Sequence, residues 1–166
     1  MKPMKLELHP LSSPQREIWF DQLLHEGLPL YNIGGYVNLP GPIDPAWLEQ
    51  AANLLVQKHD TLRTLLTKET DEDGIPLQTF TDTLSIKVPL YDFTNRENPQ
   101  QAYQEWMQQR LIEPFELIGQ PLFRYDLVKI SANHYYVLGQ YHPRGSRFAT
   151  VIRTFRVSLL SGGSAS

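Results

Sequence analysis

The chain has 166 residues, of which 41% are hydrophobic and 20% are charged, so its composition fits one globular domain or part of a larger one and excludes a disordered chain. It contains no cysteine, which excludes disulfides, thiolate nucleophiles and cysteine-ligated metal. The formal net charge of −3 gives no basis for general nucleic-acid binding.

Charge is distributed unevenly along the chain. Residues 1–142 hold 11 basic and 18 acidic residues, whereas residues 143–166 hold four arginines and no acid. We expect residues 1–142 to form one lobe and the Arg/Ser/Gly-rich tail to be poorly ordered. A basic arm for an anionic partner is the alternative. No signal-peptide core and no bilayer-length apolar run is present, so we expect a cytoplasmic protein without a membrane partner.

The first half of the chain predicts two helices and three strands. The first helix has Ser12 or Ser13 as its cap and ends at Gly27 and Pro29. Its predicted apolar stripe consists of Ile18, Trp19, Phe20, Leu23 and Leu24. The other predicted elements are a strand from Tyr31 to Leu39, a helix after Asp44-Pro45 that buries Leu48, Ala51, Ala52 and Leu55, a strand from Leu62 to Lys68, and its hairpin partner from Pro76 to Phe80.

The second half predicts one helix and three strands. The strands run from Ser85 to Leu90, from Leu122 to Ile130 and from His134 to Tyr141, and the helix begins at Asn98-Pro99 and closes at Pro114. Hairpins mixed with longer crossovers indicate an α/β layer fold with a mixed sheet and flanking helices.

The last predicted strand ends in a histidine. Alternation places His134, Tyr136, Leu138, Gln140 and His142 on one face, and Tyr135, Val137, Gly139 and Tyr141 on the other. Pro143 follows at once, so we expect strand pairing to stop there. A strand end that opens into a glycine-bearing loop is a common place for reactive side chains.

Several kinds of site are excluded. The chain has no Gly-rich phosphate loop, no His-Glu-x-x-His and no Gly-x-Ser-x-Gly. The five histidines, which are His9, His25, His59, His134 and His142, lack chelating i, i+4 spacing. We therefore expect no metal and no directly bound cofactor.

Three stretches taken together resemble a known family. They are Leu11 to Phe20 (Leu-Ser-Ser-Pro-Gln-Arg-Glu-Ile-Trp-Phe), Lys58 to Leu65 (Lys-His-Asp-Thr-Leu-Arg-Thr-Leu) and Pro114 to Arg124 (Pro-Phe-Glu-Leu-Ile-Gly-Gln-Pro-Leu-Phe-Arg). In this order they resemble the N-terminal half of a condensation domain of nonribosomal peptide synthetases, over residues 8–142.

The resemblance implies a chloramphenicol acetyltransferase-like two-layer sandwich, of which this chain is the first lobe only. The family are acyltransferases that form amide bonds between an acyl or peptidyl thioester and an aminoacyl thioester. Both substrates are carried on the phosphopantetheine of carrier protein domains. The implied partners are therefore those carrier domains and the missing C-terminal lobe.

The resemblance also implies a site motif, His-His-x-x-x-Asp-Gly, whose second histidine is assigned to catalysis. Its first histidine falls on His142, but Pro143 takes the catalytic position, Arg147 the aspartate position and Phe148 the glycine position. Proline cannot take up a proton, so we expect an inactive chain with His142 as a remnant. The family's aspartate pairs with the arginine matched by Arg63, which, with His59, is expected to support the site.

We hypothesise that a reading-frame disruption after His142 produced the tail. Translation of the encoding DNA in the other two frames from codon 143 tests this, since a His-x-x-x-Asp-Gly continuation should appear in one of them. Two alternatives are a non-catalytic fragment that binds a carrier protein or a complementary lobe, and a related acyltransferase acting on a soluble alcohol or amine. A lone lobe would expose apolar surface and self-associate.

Overall fold

The computed structural model describes residues 6–26, 28 and 32–142. Within them lie three α-helices, one short 3-10 helix and six strands. The helices are α1 (Ser13–Leu24), α2 (Pro45–Lys58) and α3 (Pro99–Leu111), and the 3-10 helix is Asp60–Arg63. The strands are β1 (Ile33–Pro40), β2 (Thr64–Thr70), β3 (Pro76–Phe80), β4 (Leu90–Asp92), β5 (Phe123–Ser131) and β6 (His134–Tyr141). The predictions for Gly27, Pro29, Tyr31 and the tail fall outside the described residues.

Four strands form one mixed sheet in the order β1-β6-β5-β4. The β1–β6 and β5–β6 pairs are antiparallel, and the β4–β5 pair is parallel. The β2–β3 hairpin forms a separate two-stranded sheet. The predicted mixed sheet with flanking helices is confirmed.

The two faces of the main sheet carry different helices. On one face, α2 packs with the buried residues Leu48, Ala52, Leu55 and Val56 against Tyr125, Leu127, Tyr135, Val137 and Tyr141. On the other face, the α3 residue Tyr103 stacks on Tyr136 with ring centroids 4.5 Å apart. The predicted alternation of β6 is therefore confirmed.

The predicted helix starts are confirmed, because each depends on neighbours within three residues. Asp44 Oδ1 accepts from the Ala46 N–H at 2.9 Å, and Asn98 Oδ1 accepts from the Gln101 N–H at 3.1 Å. Ser12 precedes α1, and its N–H donates to Gln15 Oε1. Each contact satisfies a backbone donor or holds the first turn in place.

Two strand predictions were wrong in their bounds. The segment predicted from Leu62 becomes a strand only at Thr64, because the 3-10 helix folds Arg63 back to the end of α2. The segment from Ser85 to Pro89 lies outside the strands, because side chains of α2 bind its backbone instead, and only the Pro89 carbonyl accepts from β5, at the Leu127 N–H. Asn53 Oδ1 accepts from the Ile86 N–H at 2.8 Å, and Glu49 Oε2 accepts from the Val88 N–H at 3.0 Å.

The predicted apolar stripe of α1 was also wrong. Phe20, Leu23 and Leu24 are exposed. The helix is held against the β2–β3 hairpin through Trp19 and through polar side chains instead. Arg16 donates to Asp71 at 3.1 Å and to Asp73 at 2.8 Å, while Gln15 and Gln78 bond through their amides.

Candidate functional site

The strand pairing of β6 continues one residue beyond Tyr141. The backbone N–H of His142 donates to the Leu122 carbonyl at 2.8 Å, and the residue is only 2% exposed. The structure therefore delivers His142 to the exit of β6, the point after Tyr141 where the chain leaves the strand, as a packed residue. Pro143, Arg147 and Phe148 lie outside the described residues.

An aromatic ring and a cation stand beside this exit. The Phe115 ring meets the His142 imidazole at 78° with centroids 6.3 Å apart. The Arg124 guanidinium lies 4.7 Å from the centre of the Phe115 ring, within the range of a cation–π contact. Phe115 and Arg124 belong to the third of the family-like stretches, so that stretch forms one wall of the exit.

The same arginine closes the end of α3. Arg124 Nη2 donates to the carbonyls of Arg110 at 2.9 Å and Glu113 at 2.8 Å. Its Nε donates to Gln140 Oε1 at 2.7 Å, and Gln140 Nε2 donates to the Arg110 carbonyl at 2.9 Å. The last carbonyls of a helix have no partner within the helix, and Arg124 with Gln140, here named the α3 clamp, supplies donors for them.

A buried ion pair lies under the clamp. Arg110 donates to both carboxylate oxygens of Asp126, at 2.8 and 3.0 Å, and Asp126 is fully buried. Hydrogen bonding to Asp126 raises the pKa of Arg110 despite its burial. Burial, reinforced by the nearby Arg110 charge, lowers the pKa of Arg124. The two cations therefore differ in role, since Arg110 neutralises a carboxylate and Arg124 mainly binds carbonyls and an amide.

Arg63 and His59 lie at the end of α2. The Arg63 guanidinium donates to the carbonyls of Val56 at 3.1 Å and Thr81 at 3.0 Å, to the carbonyl of Gln57, and to Asp60. The side chain is 13% exposed. Within the described part of the chain, none of its contacts reaches His142.

His59 is the residue that follows α2. Its N–H donates to the Leu55 carbonyl at 3.2 Å, and its carbonyl accepts from the Leu62 N–H at 3.0 Å. The Nε2 atom is shielded from solvent and has no hydrogen-bond partner among the described residues. His59 therefore shapes the turn that returns Arg63 to α2.

Sequence reasoning missed Arg110, Asp126 and the partners of Gln140. One signal was available for Asp126, because an acid inside an apolar strand seldom goes into a core without a partner. Nothing local identifies Arg110 as that partner, since 16 positions separate the two. The cluster forms only when α3 lies across β5 and β6.

The described residues lack two further kinds of feature. They contain no group of three or more histidine, aspartate or glutamate side chains that could hold a metal ion. No helix in that part of the chain has the length and apolar character needed to cross a membrane.

Comparison with known proteins gives consistent results. A family model described as Condensation domain matches residues 5–142. One of the plipastatin synthase proteins of Bacillus subtilis (strain 168) is 32% identical over 138 residues, which are 83% of this chain and 5% of that protein. Tyrocidine synthase 3 of Brevibacillus parabrevis is 30% identical over 139 residues, which are 83% of this chain and 2% of that protein.

Solved structures give the same answer for the fold. The crystal structure of the starter condensation domain of rhizomide synthetase RzmA matches with a TM-score of 0.80 and 29% identity, over 92% of this chain and 36% of that one. The chain thus spans about a third of that domain structure and a few percent of the curated synthetases. Because the family model covers most of the chain and the solved domains share its fold, the chain belongs to the condensation domain family of nonribosomal peptide synthetases.

Proposed function

We propose that this chain is the first lobe of a condensation domain that folds but does not form amide bonds as it stands. One observation carries the proposal: the buried His142 directly follows β6, and the next residue in the sequence is Pro143. The resemblance assigns catalysis to an imidazole at that next position. The strand and its surroundings are therefore intact, while the group that should follow them is missing.

The chemistry explains why the missing group matters. In the family reaction, the amine of the aminoacyl thioester attacks the carbonyl of the acyl thioester. A C–N bond forms, the C–S bond breaks, and the attacking nitrogen must lose a proton. An imidazole titrates near neutral pH and can take that proton or stabilise the developing charge. Proline has neither an ionisable group nor a backbone donor, so it can do neither.

The proposed substrates and partners follow from the family. We propose that a complete domain with this lobe would use acyl and aminoacyl thioesters presented on phosphopantetheine by carrier protein domains. The rhizomide starter domain supports the acyl part, since a mutant of it has been solved in complex with C8-CoA. A complementary C-terminal lobe is the second partner, because the chain matches only 36% of the solved domain.

The experiment restores the family motif inside a complete domain. Residues 1–166 would replace the matching part of a working condensation domain, once unchanged and once with Pro143→His, Arg147→Asp and Phe148→Gly. Both would be assayed with loaded carrier proteins. A positioned general base contributes about 10²- to 10⁴-fold to a rate, so the rebuilt domain should exceed the unchanged one by about that factor. Measurable amide formation by the unchanged domain, at the rate of the rebuilt one, would overturn the proposal.

A second candidate function is binding without catalysis, as a partner for a complementary lobe. It is favoured by apolar side chains left uncovered near the β1 edge of the sheet, where Ile33, Tyr36 and Ile112 are 43%, 57% and 56% exposed. Light scattering of the purified chain, with and without a separately expressed second lobe, tests this. If the chain is a monomer and does not bind the second lobe, this candidate function is excluded.

A further inference from the structure

One aromatic ring lies between His142 and Arg124, a charged residue outside the His-His-x-x-x-Asp-Gly motif. The Phe115 ring is the contact between them, since it lies nearly perpendicular to the imidazole and has its face towards the Arg124 guanidinium. Phe115 itself lies in the loop after α3 and is only half-buried. A half-buried ring on a loop needs an additional contact to keep one orientation.

Arg124 has the geometry to provide that contact. Three of its hydrogen bonds, of 2.7 to 2.9 Å, reach Gln140 on β6 and the carbonyls of Arg110 and Glu113 at the end of α3. A planar guanidinium held at two of its nitrogens cannot rotate freely. The guanidinium plane is therefore fixed relative to β6, and the Phe115 ring against it is fixed in turn.

We propose that Arg124 is a positioning residue, which holds Phe115 against the His142 imidazole and so fixes the exit of β6. This rests on the proposed function in one respect, because the exit is where the family reaction would take place in a complete domain. The positioning itself is a property of this chain. It can be measured without substrate and without activity.

The experiment is NMR of the full chain with ¹³C-labelled histidine, with the His142 ring signal assigned by its loss in His142→Gln. Aromatic ring currents make that signal sensitive to the orientation of Phe115. Arg124→Lys keeps the charge but loses the planar fork, and Phe115→Leu removes the ring. We expect both changes to shift the His142 signal, and the double variant to shift it no further than Phe115→Leu alone, since coupled residues are not additive.

Arg63→Lys is the matched control. It makes the same chemical change at another arginine that holds helix-end carbonyls, and Arg63 has no contact with His142 in the described structure. We expect it to lower the melting temperature without shifting the His142 signal. An equal shift of the His142 signal in Arg63→Lys would mean that general destabilisation of the chain causes the shift, and this would overturn the proposal.

Two other outcomes also decide the question. If Arg124→Lys leaves the signal in place while Phe115→Leu moves it, Arg124 does not hold the ring. Should Arg124→Lys fail to fold, Phe115→Leu still tests the contact, and an unmoved signal in that variant overturns the proposal. Amide formation by the unchanged chain would contradict the proposed function and leave these NMR results as they stand.

Discussion

The helices α2 and α3 lie on opposite faces of the same sheet, and an arginine from a later segment closes the end of each. Arg63 binds the carbonyls of Val56 and Gln57 at the end of α2, only seven and six residues earlier. Arg124 binds the carbonyls of Arg110 and Glu113, 14 and 11 residues earlier, and also reaches Gln140 on β6. The Arg63 contacts stabilise a helix end, whereas the α3 clamp also ties the end of α3 to β6, the strand that leads to His142.

The largest expected effect lies on the α3 face. Arg110→Met would leave the fully buried Asp126 without its counter-charge, and breaking a buried pair in this way costs about 3 to 5 kcal/mol. Urea unfolding of the variant should show this loss in the free energy of unfolding. The double change Arg110→Met with Asp126→Asn should recover part of it, and no recovery would contradict the assignment of the cost to an unpaired carboxylate.

The α2 face should be less sensitive. Arg63→Met removes donors from three backbone carbonyls, but the remaining carboxylate, Asp60, is 78% exposed and can be solvated. We expect a loss of about 2 kcal/mol, in line with a few charge-assisted hydrogen bonds at the protein surface. The same urea titration measures it. A loss larger than that of Arg110→Met would reverse the comparison between the two faces.

Close packing at the end of α3 gives the next effect. A Cβ at Gly34 would lie 2.2 Å from Leu111 Cδ2, while one at Gly35 would meet no atom within 4 Å. We expect Gly34→Ala to cost about 1 kcal/mol, at the low end for overpacking because Leu111 Cδ2 is the end of a flexible side chain, and Gly35→Ala to cost clearly less. Thermal unfolding of the two variants provides the matched pair. Equal melting temperatures would mean that Leu111 at the end of α3 is not closely packed against Gly34 of β1.

The α2 face should show a distinct response to alkaline pH. The Tyr125 and Tyr141 hydroxyls lie 2.7 Å apart, and burial raises the pKa of Tyr141 to about 12 and raises the pKa of Tyr125 as well. Their contribution is fully present below the usual tyrosine pKa of about 10 and is lost as pH rises through the folded value. At pH 11 the loss should be on the order of 1 kcal/mol per tyrosine.

Tyr141→Phe is the variant that tests this pH response. It should make the fall in unfolding free energy between pH 9 and pH 11 shallower, whatever it costs at neutral pH. An unchanged slope would mean that Tyr141 is not shielded as the structure has it.

Arg63 and the α3 clamp also show what could and could not be predicted from the sequence. The Arg63 stretch was identified by its resemblance to the family, whereas the caps Asp44 and Asn98 were predicted because their contacts lie within three residues along the chain. Alternation placed Gln140 and His142 on one face of β6. It did not reveal that Gln140 bonds Arg124, because that contact depends on how α3 lies across the sheet.

The failed prediction for α1 has a related cause. Phe20, Leu23 and Leu24 read as a buried stripe, but burial depends on whether another element covers them. In this chain, Asp71 and Asp73 of the hairpin pair with Arg16, and Trp19 packs beside the hairpin. Hydrophobic periodicity indicates a helix face that can be buried, but it does not show which element, if any, covers that face.

The most direct test of the central claim is a single-turnover assay of the purified chain with a donor carrier protein loaded with an acyl thioester and an acceptor loaded with an aminoacyl thioester. With Pro143 following His142, we expect no amide product above the rate measured without the chain. Amide formation at the rate of a complete condensation domain under the same conditions would contradict this account.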